Sequence, residues 1–439
     1  MLWSPMMTRT PSSFVAIFAC LALAAPVLAQ SVLRQGDRRD WTLEFNVTIR
    51  AWQDAGNQQQ RRGASFDVWK FSQATVVVPW PEDTSLSRAN ENRSIEVTVD
   101  DREATPARAK PEVILANRHA DSRYLGYAIG ASSAREIGVV AKMALSSFEV
   151  TLDDERAMAI EWPDEDWPSE AKSALDEQVG IEWDLDGRPY RGLDRVSGSI
   201  DRLLSNLGSE PRNVSPYLTA KYLTGAIWGH MRSRSGSGLN TARTGEIEGI
   251  DVSGVADTFA RRRGNDFEVA ALLTYVFRRA GLPARTVFGV VAEKKGRGAN
   301  ELTGDNDDEG DIVAWVEFAV IERGRTTWIP VHINEMMDST SRAPNINDME
   351  VLRKPWEGFG TIKDSQYLVP FSFHAHPPLS VKAYNSPAFW GIFAEPNEPS
   401  RAEQSMRINV TSTPVTADSQ REQPEQQQTP RRSRGRGRR

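Results

Sequence analysis

The segment that most constrains this chain is a helix with both ends written into it. Asn265 stands three residues before Glu268, the spacing of a capping box, so a helix starts at about 265. Val269, Ala270, Leu272, Leu273, Val276 and Phe277 then form one apolar stripe, and Gly281 with Pro283 stops the helix. Strands are expected directly after it at 285–291, 312–321 and 327–333, the last two joined by the hairpin connector Glu322-Arg323-Gly324-Arg325. A striped helix must bury its apolar face, and an antiparallel sheet follows it in the chain. The expected unit is an α+β layer, a helix packed on an antiparallel sheet.

Ahead of this unit the pattern changes period. Residues 41–49 alternate apolar and polar strictly, and 73–79, 94–99, 124–129 and 147–152 continue as short strands between turn-rich connectors. This spacing predicts an antiparallel β-sandwich-like domain over 30–165. Trp162-Pro163-Asp164-Glu165-Asp166-Trp167-Pro168 breaks it as an acidic, proline-bearing linker. Residues 166–260 read as a helical connector leading into the α+β domain, with apolar residues near a 3.6 period at 217–228 and a flexible Gly/Ser loop at 233–238. The core of the α+β domain is placed at 261–340 and a C-terminal extension at 341–410. Residues 411–439, rich in Gln, Pro, Thr and Arg, are expected to be a disordered Arg-rich tail.

The chain has one cysteine, Cys20. It lies in a segment with a charged start at Arg9, an apolar run over 14–28 and a small-residue exit at Ala29. That layout predicts a signal peptide over 1–29, cleaved after Ala29, and a periplasmic or secreted protein. The apolar run is shorter than the ~20 residues of a spanning helix. Phe18 argues against a lipid-anchoring reading of Cys20, since such signals favour a small residue there. The mature chain would then have no thiol and no disulfide, so its stability must come from burial. The net charge of -6 includes six arginines from Arg431 onward, so the body is more acidic than the total suggests.

The helix and strands resemble the transglutaminase-like superfamily, whose fold is related to papain-like cysteine proteases. The matching blocks are Gly264-Asn265-Asp266, Arg279-Ala280-Gly281-Leu282-Pro283-Ala284-Arg285, Val313-Ala314-Trp315-Val316-Glu317 and Trp328-Ile329-Pro330-Val331-His332. The resemblance covers about 215–335. It implies catalytic Cys, His and Asp at the positions that hold Asp266, Val313 and His332 here. Thiol catalysis needs a thiolate, an imidazole to form it and a carboxylate to orient that imidazole. Val313 cannot move a proton, so no catalytic residue is expected. Asp266 reads first as a carboxylate favoured by the helix N-terminus. His332 reads first as a buried, satisfied histidine. Asp266, Trp315, Trp328 and His332 remain as cleft-binding candidates.

Two further patterns are weak. Asp305, Asp307, Glu309 and Asp311 alternate like a calcium loop, but the closing position falls on Val316, with Glu317 one residue late. His374 and His376 lack further ligands at a clear spacing. No metal and no cofactor are therefore expected. The expected function is non-catalytic binding of a peptide, protein or cell-envelope polymer by an exported protein. One alternative is an enzyme using carboxylate chemistry, an amide hydrolase or acyl transferase. The other is a purely structural envelope protein. Export disfavours an intracellular nucleic-acid partner for the arginine tail, and no membrane-spanning segment is expected in the mature chain.

Overall fold

A computed structural model describes residues 31–51, 68–108, 111–115, 123–178, 181–183, 188–207, 211–234, 236, 238–241, 246–292, 300–302, 312–340, 342–373, 388–395 and 402–413. The expected cleavage site, Cys20, the acids Asp305, Asp307, Glu309 and Asp311, the pair His374 and His376, and the arginine tail lie outside the described residues.

Eleven strands and five helices carry the architecture relevant to the site. The strands are β1 (Leu33–Ala51), β2 (Gln73–Pro79), β3 (Ser87–Val99), β4 (Arg123–Ile129), β5 (Glu136–Leu152), β6 (Ala284–Val291), β7 (Ile312–Glu322), β8 (Arg325–Val331), β9 (Leu368–Ser372), β10 (Gly391–Glu395) and β11 (Ala402–Thr413). The helices are α1 (Asp154–Met158), α2 (Pro216–His230), α3 (Val255–Arg261), α4 (Asp266–Arg279) and α5 (Ile333–Ser339).

The chain is α+β, with antiparallel sheets and an N-terminal β-rich region. In the largest sheet β1 is bonded to β5 on one edge and β11 on the other, so Phe45 faces both Ala141 and Ile408. A second sheet runs β10–β2–β4. Alternate residues of β1, from Trp41 through Leu43, Phe45 and Val47 to Ile49, are buried in one core with Val76, Val78, Leu125 and Ile129. Both of these N-terminal sheets take a strand from the far end of the chain. A period-2 pattern shows that a strand has a buried face but not which strand completes its ladder.

The third sheet, β8–β7–β6–β9, carries the site. Helix α4 lies on it through Phe277 against Phe318 (5.4 Å between rings), Phe267 against Phe288 (5.3 Å) and a Thr274–Thr286 hydroxyl bond of 2.8 Å. The capping box is present: Asn265 Oδ1 accepts from Glu268 N, and Glu268 Oε2 accepts from Asn265 N, each at 2.9 Å. The β7–β8 hairpin turns at Arg323 and Gly324, both at positive φ. Helix α2 is buried on nearly every side, so it is an interior helix rather than a one-faced surface one.

Three local expectations change. The strand expected over 327–333 ends at Val331, because His332 caps helix α5 and Ile333 is its first residue. The acidic segment at 162–168 is packed rather than a free linker: Trp162 Nε1 donates to Val214 O at 2.7 Å and Trp167 Nε1 to Gly281 O at 3.1 Å. Within the Gly/Ser loop, Ser233 and Arg234 pair in parallel with Arg263 and Gly264, so this stretch is tied to the start of α4.

Two of the three buried cations among the described residues, Arg285 and Lys221, brace the fold around the site. Arg285 donates from Nε and Nη2 to Glu317 Oε2 at 2.9 and 2.7 Å, and Ser85 N donates to Glu317 Oε1 at 2.9 Å. The guanidinium lies 4.2 Å from the ring of Trp328 and 4.1 Å from that of Phe373. Glu317 is fully buried and committed to this network. Lys221, also fully buried, donates from Nζ to Asp154 Oδ1 (3.1 Å), Tyr217 Oη (3.0 Å) and Lys354 O (2.6 Å), with the rings of Trp356 and Phe359 beside it.

Glu317→Ala strands Arg285 as a buried charge and should cost about 3–5 kcal/mol in denaturant unfolding. A loss too small to measure would show that the pair braces nothing. Burial pushes the Lys221 amine down against the opposing pull of Asp154. Between the folded and unfolded values the unfolded chain then holds more protons, so stability rises with pH on the alkaline side. Tyr217, pushed up by burial, adds a rise-limiting effect only above about pH 10, where an unfolded tyrosine ionises. Urea titrations from neutral pH to about pH 10 should show the rise in the native chain and a flatter profile in Lys221→Met.

Candidate functional site

The start of α4 is held by an unusual number of backbone and side-chain bonds. Gly264 sits so close to Thr258 and Glu268 that an added Cβ would lie 2.9 Å from Thr258 Cγ2. Asn265 donates from Nδ2 to Asp251 O at 2.7 Å while its oxygen caps the helix. Glu268 Oε1 accepts from Ser253 N at 2.9 Å and Arg261 Nη2 at 3.3 Å. The position of Asp266 is therefore rigidly set. Asn265, not Asp266, is the cap, and Asp266 is the first helical residue, where the partial positive charge of the helix end favours a carboxylate. Asp266 is 9% exposed.

His332 enters from the end of β8. Its Nδ1 accepts from Glu335 N at 3.3 Å, capping α5. A neutral imidazole that accepts at Nδ1 carries its proton on Nε2. The ring lies nearly parallel to the indole of Trp315, with centroids 6.5 Å apart and 20° between planes. Trp315 is fully buried on β7, and its indole lies over Gly289, where a Cβ would come within 2.6 Å of Cζ3. Val313 pairs with Gly289 and packs half-buried against the cluster of Trp315, Val287 and Leu368. Trp328 stands apart from this group, over the Arg285 guanidinium.

One residue that local sequence reading missed joins these parts. Asn334, in the first turn of α5, donates from Nδ2 to Asp266 O at 2.9 Å and to Ala314 O at 3.2 Å. It thus ties the start of α4 to β7 and to the helix that His332 caps. Its Oδ1 and the Trp315 Nε1 are buried with no hydrogen-bond partner among the described residues. Nothing local flags Asn334, since an Asn after a strand usually reads as a turn residue. The structure therefore brings Trp315 and His332 together, ties the Asp266 carbonyl to β7 and α5 through Asn334, places Val313 beside Trp315, and leaves Trp328 in the brace.

Trp315 thus offers an indole donor beside the His332 imidazole and the Val313 side chain, while Asp266 stands at the helix start that Asn334 links to them. Among the described residues no group of histidine, cysteine and acidic side chains could hold a metal ion. Replacing Asn334 by Asp removes two donors and sets a carboxylate against two carbonyls. The expected cost is about 1–3 kcal/mol in chemical unfolding, while Asn334→Gln, if it reaches neither carbonyl, should show a similar loss.

Comparison with known proteins follows the same segment. No curated protein matches the chain. A candidate cysteine protease from Cytophaga hutchinsonii superposes over 88% of this chain and 94% of its own, at 12% identity and a TM-score of 0.46. The periplasmic domain of TgpA from Pseudomonas aeruginosa, bound to ethylmercury, covers 71% of this chain and 93% of its own at 14% identity and a TM-score of 0.26. With scores this low, neither likeness says anything about the site. The sequence family match is firmer. Residues 224–333, which include Asp266, Val313 and His332 and end at the first residue of α5, match the transglutaminase-like superfamily.

Proposed function

We propose that this is an exported transglutaminase-like protein without thiol catalysis, whose helix-start cleft binds a peptide, protein or cell-envelope component. The observation that carries the reading is the thiol inventory. Cys20 is the only cysteine in the sequence, and the helix start that would present a nucleophile presents Asp266. Val313 adds no proton-transfer group. The layout of residues 1–29 supports export, and no helix among the described residues is long and apolar enough to cross a membrane.

The connection of Asp266 to the His332-capped helix through Asn334 favours one second reading, carboxylate chemistry on an amide or ester. Here Asp266 would act as base or nucleophile, and His332 would supply a proton from Nε2.

One set of measurements separates the two. The chain from Gln30 onward is incubated with peptide-bearing cell-wall sacculi and with immobilised peptides, and assayed in parallel for amine incorporation and amide hydrolysis. Binding without turnover, indifferent to thiol alkylators and weakened about tenfold or more by Asp266→Asn, is the expected result, the loss of one charge-assisted contact. Turnover that disappears in Asp266→Asn replaces binding with carboxylate catalysis. Neither binding nor turnover overturns both and leaves a structural role.

A further inference from the structure

Helices α2 and α3 end side by side, and arginines follow both ends. α2 stops at His230 with Arg232 just beyond it, and α3 stops at Arg261 with Arg262 and Arg263 after it. The two exits are stitched together. Arg232 N donates to Arg262 O at 2.9 Å, and one residue on Ser233 pairs in parallel with Arg263. Arg262 takes a left-handed φ of 55°, and its Nε donates to the last carbonyl of α2, that of His230, at 2.7 Å. The His230 ring lies flat on Phe259, with 4.0 Å between centroids and 14° between planes, and its Nε2 donates to Phe259 O at 2.8 Å. The charge gathered here is only partly answered. Arg261 is taken by Glu268, whose Oε1 lies 3.3 Å from Nη2. Among the described residues no carboxylate pairs with Arg232, Arg262 or Arg263. Arg232 and Arg263 are exposed, and Arg262 is half-buried. A helix C-terminus contributes roughly −0.5 of a charge, so two of them offset at most about one of these three cations. A surplus of about two positive charges remains at the paired exits. Burial, and after it the guanidiniums of Arg262 and Arg232, push the His230 imidazole below its ordinary range against the opposing pull of its bond to Phe259 O. Both arginines therefore act on the same ring.

We propose that the paired exits of α2 and α3 form a clamp for a phosphate monoester group, held between the guanidiniums of Arg232 and Arg262, with Arg263 adding to the field. A phosphate monoester at neutral pH carries close to two negative charges, which matches the surplus. A guanidinium fork also meets its oxygens two at a time. A carboxylate brings one charge and leaves the clamp half neutralised. The backbone under the arginines is already fixed by the bonds between the exits, so less ordering is lost when the anion arrives. The exposed large apolar side chains among the described residues are Val68, Met349 and Phe393, none of them in these exits. The clamp therefore has no apolar face to lay into a bilayer, and its ligand is a phosphate ester presented in water rather than a lipid surface. It stands on the helix exits and needs neither the Asp266 cleft nor a ligand there.

With 5 histidines in the sequence, His230 is a usable reporter. Its imidazole resonance is titrated against pH in the chain from Gln30 onward, with glycerol phosphate, with inorganic phosphate, and with chloride at equal ionic strength. Neutralising two nearby cations should raise the His230 midpoint by about half a pH unit or more with either phosphate probe. Arg232→Gln should raise the midpoint before any phosphate is added and remove most of the further rise, which a merely structural arginine would not do. A shift no larger than with chloride, or one that survives unchanged in Arg232→Gln, overturns the clamp. A response to inorganic phosphate with none to the ester overturns the assignment of an ester ligand. Should the His230 signal resist assignment, calorimetry with glycerol phosphate decides. Arg232→Gln should weaken binding about tenfold, the loss of one charge-assisted contact. No binding by the unsubstituted chain, or equal affinity in the variant, overturns the clamp. No arm uses peptides, sacculi or Asp266, so failure of the clamp leaves the proposed function standing, and failure of that function leaves the clamp.

Discussion

The fold depends on how the backbone of β1 is satisfied. This 19-residue strand has a neighbour on each edge, β5 and β11, and the residues that pair with it range from Glu136 to Thr413. An unpaired backbone group in the interior costs about as much as a lost hydrogen bond, so a strand this long needs both neighbours along most of its length. The chain must therefore leave the N-terminal region, build the helix-bearing layer and return to complete the first sheet. β10 does the same for β2. In sequence the helix-bearing layer thus lies between strands that pair with one another.

The Arg285–Glu317 network joins that layer to the N-terminal region. Both residues sit on neighbouring strands of the helix-bearing sheet, yet Ser85 and the carbonyl of Asp83 come from the loop between β2 and β3. The rings of Trp328 and Phe373 lie against the guanidinium and shield it from water. A buried ion pair is a poor source of net stability, since desolvation offsets most of its Coulomb attraction. It does penalise any arrangement in which one member lacks the other, and so it fixes the register between the two parts of the molecule.

At the start of α4 the same logic acts on a smaller scale. Asn265, Glu268 and Asn334 leave Asp266 almost no freedom, whatever its task. Here the bracing surrounds a carboxylate. A helix end that stabilises a thiolate also stabilises a carboxylate, because both draw on the same oriented amides. That explains how Asp can stand at this position without disturbing the scaffold. The buried orphan atoms, Trp315 Nε1 and Asn334 Oδ1, are the places where the bracing stops short of full satisfaction.

Local chemistry alone set the elements around the site. The Asn265–Glu268 cap, the stripe from Val269 to Phe277, the Gly281–Pro283 stop and the Arg323–Gly324 turn depend only on residues a few positions apart, so they are legible in the chain. The alternation of 41–49 likewise set a half-buried strand. What needed the tertiary structure were the long-range decisions: β11 beside β1, the packing of Trp162 and Trp167, the closing of β8 at Val331 and the placement of Asn334 between Asp266 and Ala314. Each depends on a hydrogen-bond partner distant in sequence, and no periodicity names such a partner. The candidate residues themselves were readable as residue types. Only the folded chain decided that Trp315 lies beside His332, that Asn334 ties the start of α4 to β7, and that the Gly236 carbonyl accepts from the Asp266 amide.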